Sequence, residues 1–570
     1  MKKIPYYEVR EIENIKELVN GSCELYADRT AYLVKRGGQE EYQPIKYSQV
    51  KEDVDALGTA LIDLGLKGKR IAVIGENRYE WAICYLAVIT GVGVVVPLDR
   101  QLPEQEISNC VKRSEVSAIL YSSKLEDSIN KLFPTFENVE KYVCFDDIND
   151  NGNFMSLSKL ITYGKKLLAD GNKDFINAEI NNEEMAEMLF TSGTTSEPKV
   201  VMLSHKNICY NVYEQCQMVN ILPEDVFLSV LPIHHTYECT CGFLTPFYRG
   251  SAVAYCEGLR HIQKNMQQSK VTVFLGVPLI FETLYKKIWV GIEKQGKTKL
   301  VKTMIKVTNA LDKVGIHLKK KLFKEIHEQL GGNIRLLIAG AASVDPEVSK
   351  GFRDLGIFAI QGYGLSECAP IVALNRDVDY KDDAVGLPLP TEEVKIDNPN
   401  EEGVGEIIVK GDHVMLGYYK NDEENSKVLK DGWFYTGDLG FIDEDGFIHI
   451  TGRKKNVIIT KNGKNIYPEE LETILVRNDY IKECMVYGKD DKDDVKLAAE
   501  IVLDNEFVEE KFKDNPKTPE ELKELVWQEI KKINSEFVVY KHIKEINIRD
   551  TEFKKTTTMK IKRYLETSNK

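Results

Sequence analysis

The sequence has 570 residues, more than a single hydrophobic core normally organises, and this length predicts at least two domains. Hydrophobic residues make up 43% and charged residues 29%, a globular composition that excludes a disordered or fibrous chain. The formal net charge of -13 provides no general positive field for a phosphate backbone, which excludes a nucleic acid as the main partner.

The cysteines and the first residues indicate the compartment. The 11 cysteines are scattered and include no Cys-x-x-Cys pair, which favours reduced thiols over structural disulfides. The opening MKKIPYYEVREIENIKELV carries charges throughout and has no apolar run of signal-peptide length. We therefore expect a cytoplasmic protein.

An uncharged stretch of 18 residues runs from Trp81 to Leu98 and approaches membrane-spanning length. Gly91, Gly93 and Pro97 interrupt it, and its second half is rich in β-branched residues. The stretch therefore predicts a buried helix from residue 81 to about 90, followed by a buried parallel strand. Peripheral contact with the inner face of a membrane stays open.

Short apolar runs alternate with helical patterns along the first two thirds of the chain. The runs begin at residues 70, 93, 118, 226, 251, 271, 334 and 356. Such alternation is typical of parallel sheets covered by helices, an α/β fold. From about residue 382, closely spaced Gly and Pro with the short strands GEIIVKG, GWFYTGD and GFIHITG predict a β-rich subdomain. A compact α+β tail follows Arg453, and its charged stretch from about 504 to 534 predicts a solvated helix pair.

The segment LFTSGTTSEPKVVMLSH, residues 189–205, joins a strand end to a polar loop. Gly193 lets the backbone approach a ligand, and Lys199 supplies a positive charge. Hydroxyl groups that can donate to phosphate oxygens are carried by Thr191, Ser192, Thr194 and Thr195. The loop predicts a polyphosphate site, although a polar surface turn has a similar composition. It differs from the G-x-x-x-x-G-K-[ST] loop because Pro198 replaces the second glycine and neither Ser nor Thr follows Lys199.

Four further motifs follow the loop in order. They are QGYGLSECAP at 361–370, GWFYTGDLG at 432–440, TGRKKNVIITKNGKNIYPEELE at 451–472 and KKTTTMKIKR at 554–563. Together with the loop they resemble the motifs of the adenylate-forming superfamily, which includes acyl-CoA synthetases, luciferases and peptide-synthetase adenylation domains. The pattern is most similar to bacterial long-chain or medium-chain fatty-acid CoA ligases, more loosely before residue 189.

The resemblance implies an α/β fold with a large N-terminal adenylation domain, residues 1–452, of two helix-covered sheets and a β-rich subdomain at about 382–452. A hinge at 453–455, which contains Lys455, would join it to a small mobile α+β domain, residues 456–570. The same resemblance implies that ATP and a carboxylic acid form an acyl-AMP, with Mg²⁺ as cofactor. Coenzyme A would then accept the acyl group.

Several residues acquire roles from the resemblance. Thr191 and Glu367 would hold Mg²⁺, and with Lys560 they form the predicted catalytic group. ATP or AMP would also be bound by Thr191, Ser192, Gly193, Thr194, Thr195, Lys199, Gln361, Gly362, Tyr363, Gly364, Ser366, Asp438 and Arg453. Taken locally, Asp438 is a turn aspartate, and Arg453 is more often a member of a surface ion pair.

Lys560 is assigned by the resemblance to the first chemical step. An ammonium group that bridges the attacking carboxylate and the α-phosphate lowers a barrier that arises from bringing two anions together. Its spacing to Lys555, Thr556 and Arg563 distinguishes it from the other lysines of this tail. Met559 replaces the glycine that usually precedes this lysine.

Gly463 is assigned to the second step. It matches the loop that lines the family's thiol tunnel, where a side chain would obstruct the pantetheine arm. As a bare sequence feature, Asn462-Gly463 is a hairpin turn. The two interpretations are compatible.

The acid substrate is indicated by LPIHHTYE, residues 231–238. This segment resembles the long-chain and medium-chain acyl-CoA synthetase form of a motif that walls the acid pocket. His234 and Tyr237 would contribute to the wall, and Gly276 and Gly340 to an apolar slot for an alkyl chain. Taken locally, the histidines are equally well explained as hydrogen-bonded residues at the edge of the core.

Three functions stay in competition. The first is an acyl-CoA synthetase, and the second adenylates an acid but delivers it to a carrier-protein thiol. The third is a non-catalytic nucleotide-binding or scaffold protein, which is disfavoured because the full set of predicted charged residues is present: Lys199, Glu367, Asp438, Arg453 and Lys560. The sequence does not fix the acyl-chain length or the oligomeric state.

Overall fold

The protein is described by a computed structural model that covers residues 4–191, 198–460, 464–491, 494–556 and 560–567. Contacts divide the chain into two compact units. Unit 1 contains Met1–Glu393 and Val409–Phe434, and unit 2 contains Val394–Ile408 and Tyr435–Lys570. The predicted domain boundary after residue 452 and the hinge at 453–455 stay predictions.

The α-helices are labelled in chain order. They are α1 (Ile15–Leu25), α2 (Tyr47–Asp63), α3 (Tyr79–Ala87), α4 (Glu104–Ser114), α5 (Glu126–Leu132), α6 (Leu157–Ala169), α7 (His205–Met218), α8 (Thr245–Arg249), α9 (Ile262–Ser269), α10 (Pro278–Lys294), α11 (Thr298–Asp312), α12 (Lys319–Leu322), α13 (Lys324–Gln329), α14 (Pro346–Asp354), α15 (Asp422–Val428), α16 (Pro468–Leu475), α17 (Asn505–Lys511), α18 (Pro519–Asn534) and α19 (Arg563–Thr567).

The strands are labelled in the same way. They are β1 (Thr30–Val34), β2 (Gln43–Lys46), β3 (Arg70–Ile74), β4 (Val94–Leu98), β5 (Ala118–Tyr121), β6 (Lys141–Cys144), β7 (Phe154–Ser156), β8 (Met185–Thr191), β9 (Lys199–Ser204), β10 (Val226–Ser229), β11 (Ala252–Tyr255), β12 (Val273–Gly276), β13 (Leu336–Ala339), β14 (Phe358–Gly364), β15 (Ile371–Leu374), β16 (Leu387–Pro388), β17 (Glu393–Asp397), β18 (Gly405–Lys410), β19 (Gly417–Tyr418), β20 (Leu429–Lys430), β21 (Trp433–Ile442), β22 (Ile448–Arg453), β23 (Ile458–Ile459), β24 (Asn465–Ile466), β25 (Ile481–Asp491), β26 (Asp494–Leu503) and β27 (Ile543–Arg549).

Unit 1 is built on two large sheets. One has nine strands in the order β16-β15-β14-β13-β12-β10-β11-β1-β2, and the other has eight in the order β19-β9-β8-β4-β3-β5-β6-β7. Interior neighbours such as β12 with β13 and β3 with β4 run parallel, whereas β1 with β2 and β9 with β19 are antiparallel. Every apolar run that predicted a strand forms one, and the predicted α/β fold is confirmed.

Apolar cores on the two large sheets hold unit 1 together. Phe274, Phe281 and Phe352 belong to the core that joins β12 to α10 and α14. Ile74 and Leu98 belong to the core around β3 and β4. The stretch Trp81–Leu98 is buried as predicted: it contains most of α3, a π-helical segment Val88–Val92, and β4. In the described ranges, every helix is too short or too polar to cross a bilayer.

Unit 2 contains three smaller sheets. β18 lies between β17 and β21, and β22 pairs with β21; β23 pairs with β24, and β25, β26 and β27 form a third sheet. Leu471, Val486 and Ile530 share one apolar core with the third sheet. The charged stretch forms the predicted pair α17 and α18, and Thr518 and Glu521 make a capping box at the start of α18.

The eleven cysteines all lie in the described part of the chain and are free thiols. Ten are buried, and Cys256 is partly exposed. Burial raises the pKa of Cys110 to about 12, which keeps its sulfur protonated and unreactive at neutral pH.

Candidate active site

The predicted phosphate loop connects β8 to β9. These strands pair antiparallel with Thr191 opposite Lys199, so the two ends of the loop are adjacent. Oγ1 of Thr191 donates to the carbonyl oxygen of Lys199 at 3.4 Å. Ser192, Gly193, Thr194 and Thr195 lie outside the described residues, and their roles in phosphate binding stay predictions.

Lys199 lies beside a tyrosine that also contacts the predicted metal ligand. Its Nζ is 4.7 Å from the centroid of the Tyr418 ring and forms an ion pair with Glu424. The Tyr418 hydroxyl donates to Oε1 of Glu367 at 2.8 Å. Burial, and then the charge of Glu367, raise the pKa of Tyr418, so the phenol keeps the proton that it donates. The Tyr418 side chain therefore links Lys199, the predicted phosphate-binding residue, to Glu367, the predicted metal ligand.

Tyr418 reaches this position through a short strand at the sheet edge. β19 pairs antiparallel with β9, placing Tyr418 opposite Val201 and Gly417 opposite Met202. Sequence reasoning missed both Tyr418 and Glu424. The available signal was the aromatic pair Tyr418-Tyr419 directly after a glycine, which is too common to identify a site.

The QGYGLSECAP motif covers the end of β14, a 3₁₀ turn Ser366–Cys368 and the following proline. Asn211 in α7 holds it, because its amide nitrogen donates to the carbonyls of Cys368 and Ile371 at 3.2 and 2.8 Å. The backbone nitrogen of Met415 donates to the carbonyl of Glu367 at 2.8 Å. The backbone that carries Glu367 is therefore fixed from two directions.

Two residues of this motif have structural duties. The side chain of Gln361 accepts from the backbone nitrogen of Val344 at 3.0 Å and donates to the carbonyl of Asp382 at 2.9 Å. A Cβ on Gly364 would lie 2.2 Å from the carbonyl oxygen of Pro370, so this turn requires a glycine. Contacts of ATP with Gln361, Gly362, Tyr363, Gly364 and Ser366 stay predictions.

Three of the predicted acid-pocket residues, Tyr237, Gly276 and Gly340, come together where β12 and β13 end. The backbone nitrogen of Gly340 donates to the carbonyl of Gly276 at 3.2 Å. A Cβ on Gly340 would lie 2.7 Å from the Tyr237 ring, whose hydroxyl donates to the carbonyl of Ile338 at 3.0 Å. The Tyr237 ring is thus held against Gly340, where the absence of a side chain leaves room for it.

His234 and Thr236 connect the LPIHHTYE segment to neighbouring motifs. Nε2 of His234 lies 3.8 Å from Oδ2 of Asp99, and burial lowers the pKa of the imidazole, which favours its neutral form. Oγ1 of Thr236 lies 3.3 Å from Oγ of Ser366. The LPIHHTYE segment and the QGYGLSECAP motif, which carries predicted ATP-binding residues, are therefore adjacent within unit 1.

Asp438 and Arg453 form an ion pair in unit 2. They lie opposite each other on β21 and β22, with 2.7 Å between Oδ1 and Nε. Asp438 is 5% exposed, so this pair is more than a chance surface contact. Lys455 lies in a 3₁₀ turn, Lys454–Asn456, and Gly463 lies outside the described residues.

Lys560 lies near the end of unit 2, next to an antiparallel bridge between Lys555 and Ile561, and its side chain is exposed. Its backbone nitrogen donates to Oγ1 of Thr556 at 3.1 Å, and the Thr556 nitrogen donates to its carbonyl at 2.8 Å. Lys555 forms an ion pair with Glu483, and Arg563 donates to a carbonyl of β25 at 3.0 Å. Lys555 and Arg563 therefore anchor the chain on either side of Lys560.

The oxygen donors Thr191 and Glu367 suit a magnesium ion. In residues that the structure describes, no cluster of three or more His, Cys, Asp or Glu side chains could hold a metal. A site with one carboxylate fits Mg²⁺, which keeps several waters and takes further ligands from substrate phosphates.

Two family models match this chain. The AMP-binding enzyme model matches residues 20–419, and the AMP-binding enzyme C-terminal domain model matches residues 470–560. Long-chain-fatty-acid--CoA ligase 5 of Rattus norvegicus is 30% identical over 507 residues, covering 81% of this chain and 72% of the relative. Fatty acyl-CoA synthetase B of Dictyostelium discoideum is 27% identical over 522 residues, covering 86% and 77%.

Solved structures share the fold. The anthranilate CoA ligase AuaEII in complex with anthranoyl-AMP has a TM-score of 0.79 at 18% identity, covering 99% of this chain and 98% of that one. O-succinylbenzoate coenzyme A synthetase from Bacillus subtilis, in complex with ATP and magnesium ion, has a TM-score of 0.71 at 20% identity, covering 96% and 98%. The predicted resemblance is confirmed, and this chain belongs to the AMP-binding enzyme family.

Proposed function

We propose that this chain activates a fatty acid with ATP and transfers the acyl group to coenzyme A. In the first step a carboxylate oxygen attacks the α-phosphorus, the bond to pyrophosphate breaks, and acyl-AMP forms. In the second step the sulfur of coenzyme A attacks the acyl carbonyl carbon. The thiol proton is lost, AMP leaves, and the thioester forms.

The observation that carries the proposal is the convergence of Lys199, Tyr418 and Glu367 beside Thr191. Lys199 offers a point charge to the polyphosphate, and Thr191 and Glu367 offer oxygen ligands for Mg²⁺. When bound, this ion would neutralise negative charge on the phosphates. Tyr418 orients the Glu367 carboxylate by its hydrogen bond.

Unit 2 would supply the remaining groups. We assign Asp438 to the ribose hydroxyls, with Arg453 holding the carboxylate in place. Lys560, which is exposed next to the bridge between Lys555 and Ile561, would place its ammonium between the attacking carboxylate and the α-phosphate. The thiol step would follow a rotation about Lys455 that brings Gly463 to the thiol tunnel.

The acid is a fatty acid in this proposal because two of the similar proteins carry fatty-acid names. Tyr237, Gly276 and Gly340 would form an apolar slot for its chain. These relatives are named as CoA ligases or synthetases, which favours coenzyme A over a carrier protein as acceptor. Buried cysteines without disulfides agree with a reducing cytoplasm.

The test is a two-stage assay on the purified chain. Acids of different length are incubated with ATP and Mg²⁺ and pyrophosphate is measured; coenzyme A or a carrier protein is then added and AMP and thioester are measured. We expect pyrophosphate with fatty acids and thioester with coenzyme A. No pyrophosphate with any acid would favour the scaffold, and thioester with carrier protein alone would overturn the coenzyme A assignment.

A further inference from the structure

A concentrated positive charge lies on the helices that follow β12. Residues 286–324 contain twelve lysines and two acidic residues, Glu293 and Asp312, whereas the whole chain has 76 basic and 89 acidic residues. Asp312 is already paired with Lys319 at 2.9 Å. Lys299, Lys306 and Lys313 are exposed and form no ion pair with any part of the chain that the structure describes. This segment is therefore strongly basic in an acidic protein.

Exposed apolar side chains lie beside these lysines. Leu300 is 57% exposed and Val307 is 51% exposed, both on α11, and Val314 just beyond the helix is 71% exposed. Residues seven apart lie within about 20° of each other around a helix. Leu300 and Val307 therefore form one stripe, and Lys299 and Lys306 form another, about a quarter of a turn away.

The exposed stripe is not needed for the core. A different face of α11 carries Val301 and Thr308, which are 7% and 0% exposed. Met304 and Ile305 pack against the core that contains Phe281. The helix is thus held in unit 1 by one face, while its outward face combines lysines with leucine and valine.

We propose that the basic apolar surface of residues 298–324 docks this protein on an anionic lipid bilayer. A helix with lysines on its polar face and aliphatic side chains beside them lies in the bilayer interface, with the apolar side chains among the acyl chains. Each lysine near an anionic surface strengthens binding by about fivefold. Three such lysines together strengthen binding to the bilayer by about a hundredfold.

A bilayer fits this surface better than a nucleic acid does. A nucleic-acid phosphate backbone binds lysine and arginine, but the exposed side chains of Leu300, Val307 and Val314 would add nothing to that binding. The segment 286–324 contains no arginine, which is the preferred residue for bidentate phosphate contacts. α10 begins at Pro278, two residues after Gly276 of the proposed acid slot, and the chain continues from its end at Lys294 into α11, so one helix connects the proposed slot to this surface along the chain.

The test is co-sedimentation of the full chain with phosphatidylcholine vesicles, with and without one quarter phosphatidylglycerol, at low and high salt. We expect binding to the anionic vesicles that weakens with salt. The variant K299Q/K306Q/K313Q should bind the anionic vesicles about a hundredfold more weakly. L300S/V307S should also lose binding, because the apolar contribution is removed. The matched control K67Q/K166Q/K173Q, which changes three exposed lysines elsewhere in unit 1, should bind like the wild type.

Thermal unfolding and pyrophosphate release with a water-soluble acid, measured without vesicles, should be unchanged in all three variants. Equal binding to neutral and anionic vesicles, or equal loss in the control, would overturn the proposal. Full binding by L300S/V307S together with displacement by soluble RNA would overturn it in favour of a nucleic-acid partner. Vesicle binding is measured without ATP or acid, so its failure is separable from a failure of the proposed activity.

Discussion

The hydroxyl of Tyr418 donates to Oε1 of Glu367 at 2.8 Å across 51 residues of sequence. Tyr418→Phe removes this bond and leaves the ring beside Lys199. Hydrogen bonds to charged groups contribute about 1.5–3 kcal/mol, so we expect adenylate formation to fall by about 10-fold to 100-fold, with a higher Mg²⁺ requirement. Initial rates of pyrophosphate release at varied Mg²⁺ measure both effects.

The neighbouring residue provides the control for this variant. The hydroxyl of Tyr419 accepts from Arg70 at 2.8 Å and donates to Glu115 at 3.2 Å, so Tyr419→Phe removes an equivalent group that does not touch Glu367. It should keep its Mg²⁺ requirement. A larger effect at Tyr419 than at Tyr418 would contradict the positioning role.

Lys560→Ala tests the assignment of the first chemical step. Losing one preorganised electrostatic group costs about 10²-fold or more in adenylate formation. Thioester formation from supplied acyl-AMP should change little, because the adenylate is already made. Lys554→Ala removes another exposed lysine of the same motif and should leave both steps intact. An equal loss in both steps would show that the two-conformation assignment is wrong.

Gly463→Leu tests the second step. A side chain in the tunnel loop should obstruct the pantetheine arm, so thioester formation from supplied acyl-AMP should fall while pyrophosphate release in a single turnover persists. Rapid-quench measurement of both products separates the steps. Loss of the pyrophosphate burst would show that the variant impairs the first step, which would contradict the assignment of Gly463 to the thiol tunnel.

Gly340→Ala tests the packing of the acid slot. The new Cβ would lie 2.7 Å from a Tyr237 ring that is tied to the carbonyl of Ile338, so the ring must shift. Overpacking of this kind costs about 1–3 kcal/mol, and we expect a lower Tm and a shorter preferred acid. Gly291→Ala in α10 meets no atom within 4 Å and should be neutral or stabilising. Denaturant unfolding and kcat/KM across acid lengths test both variants.

Glu238 predicts a pH dependence of stability. It is 1% exposed and accepts from Oγ of Ser229, and burial raises the pKa of its carboxyl to about 8. The folded chain therefore keeps a proton on Glu238 that the unfolded chain loses near pH 4.5. The contribution of this proton to the free energy of unfolding is complete below pH 4.5 and is lost as the pH rises through about 8. Glu238→Gln cannot ionise. Its Tm relative to the wild type should rise by about 2–4 °C between mildly acidic and alkaline buffer.

A constant Tm difference across that range would show that Glu238 is ionised in the folded protein. Calorimetry in buffers of matched ionic strength makes the comparison. Glu187 is another buried carboxyl whose pKa is raised to about 8, but it is present in both proteins and cancels in the difference.

The elements that sequence predicts well depend on local patterns. The uncharged β-branched run before Leu98 becomes β4, and Thr518 with Glu521 starts α18 with a capping box. Tyr418 was not predictable because β19 has two residues, too short for any periodicity. Its position depends on pairing with β9, more than two hundred residues earlier in the chain.

Gln361 shows the complementary limit. A polar residue at the head of a ligand motif suggests a side chain that faces the ligand. The Gln361 side chain hydrogen-bonds Val344 and Asp382, and a contact between ATP and this residue stays a prediction. A sequence shows which polar groups a segment carries, but the fold determines which of them form hydrogen bonds within the protein.

The burial of ten of the eleven cysteines has a consequence for handling the protein in oxidising buffer. A protein proposed to bind a thiol substrate offers that substrate almost no sulfur of its own with which to form a mixed disulfide. Cys256, whose Sγ donates to the carbonyl of Gly258 at 3.3 Å, is the one partly exposed thiol of the eleven. Burial also raises the pKa of Cys256, so in alkaline buffer an alkylating dye should attach at this one position per chain of the native protein.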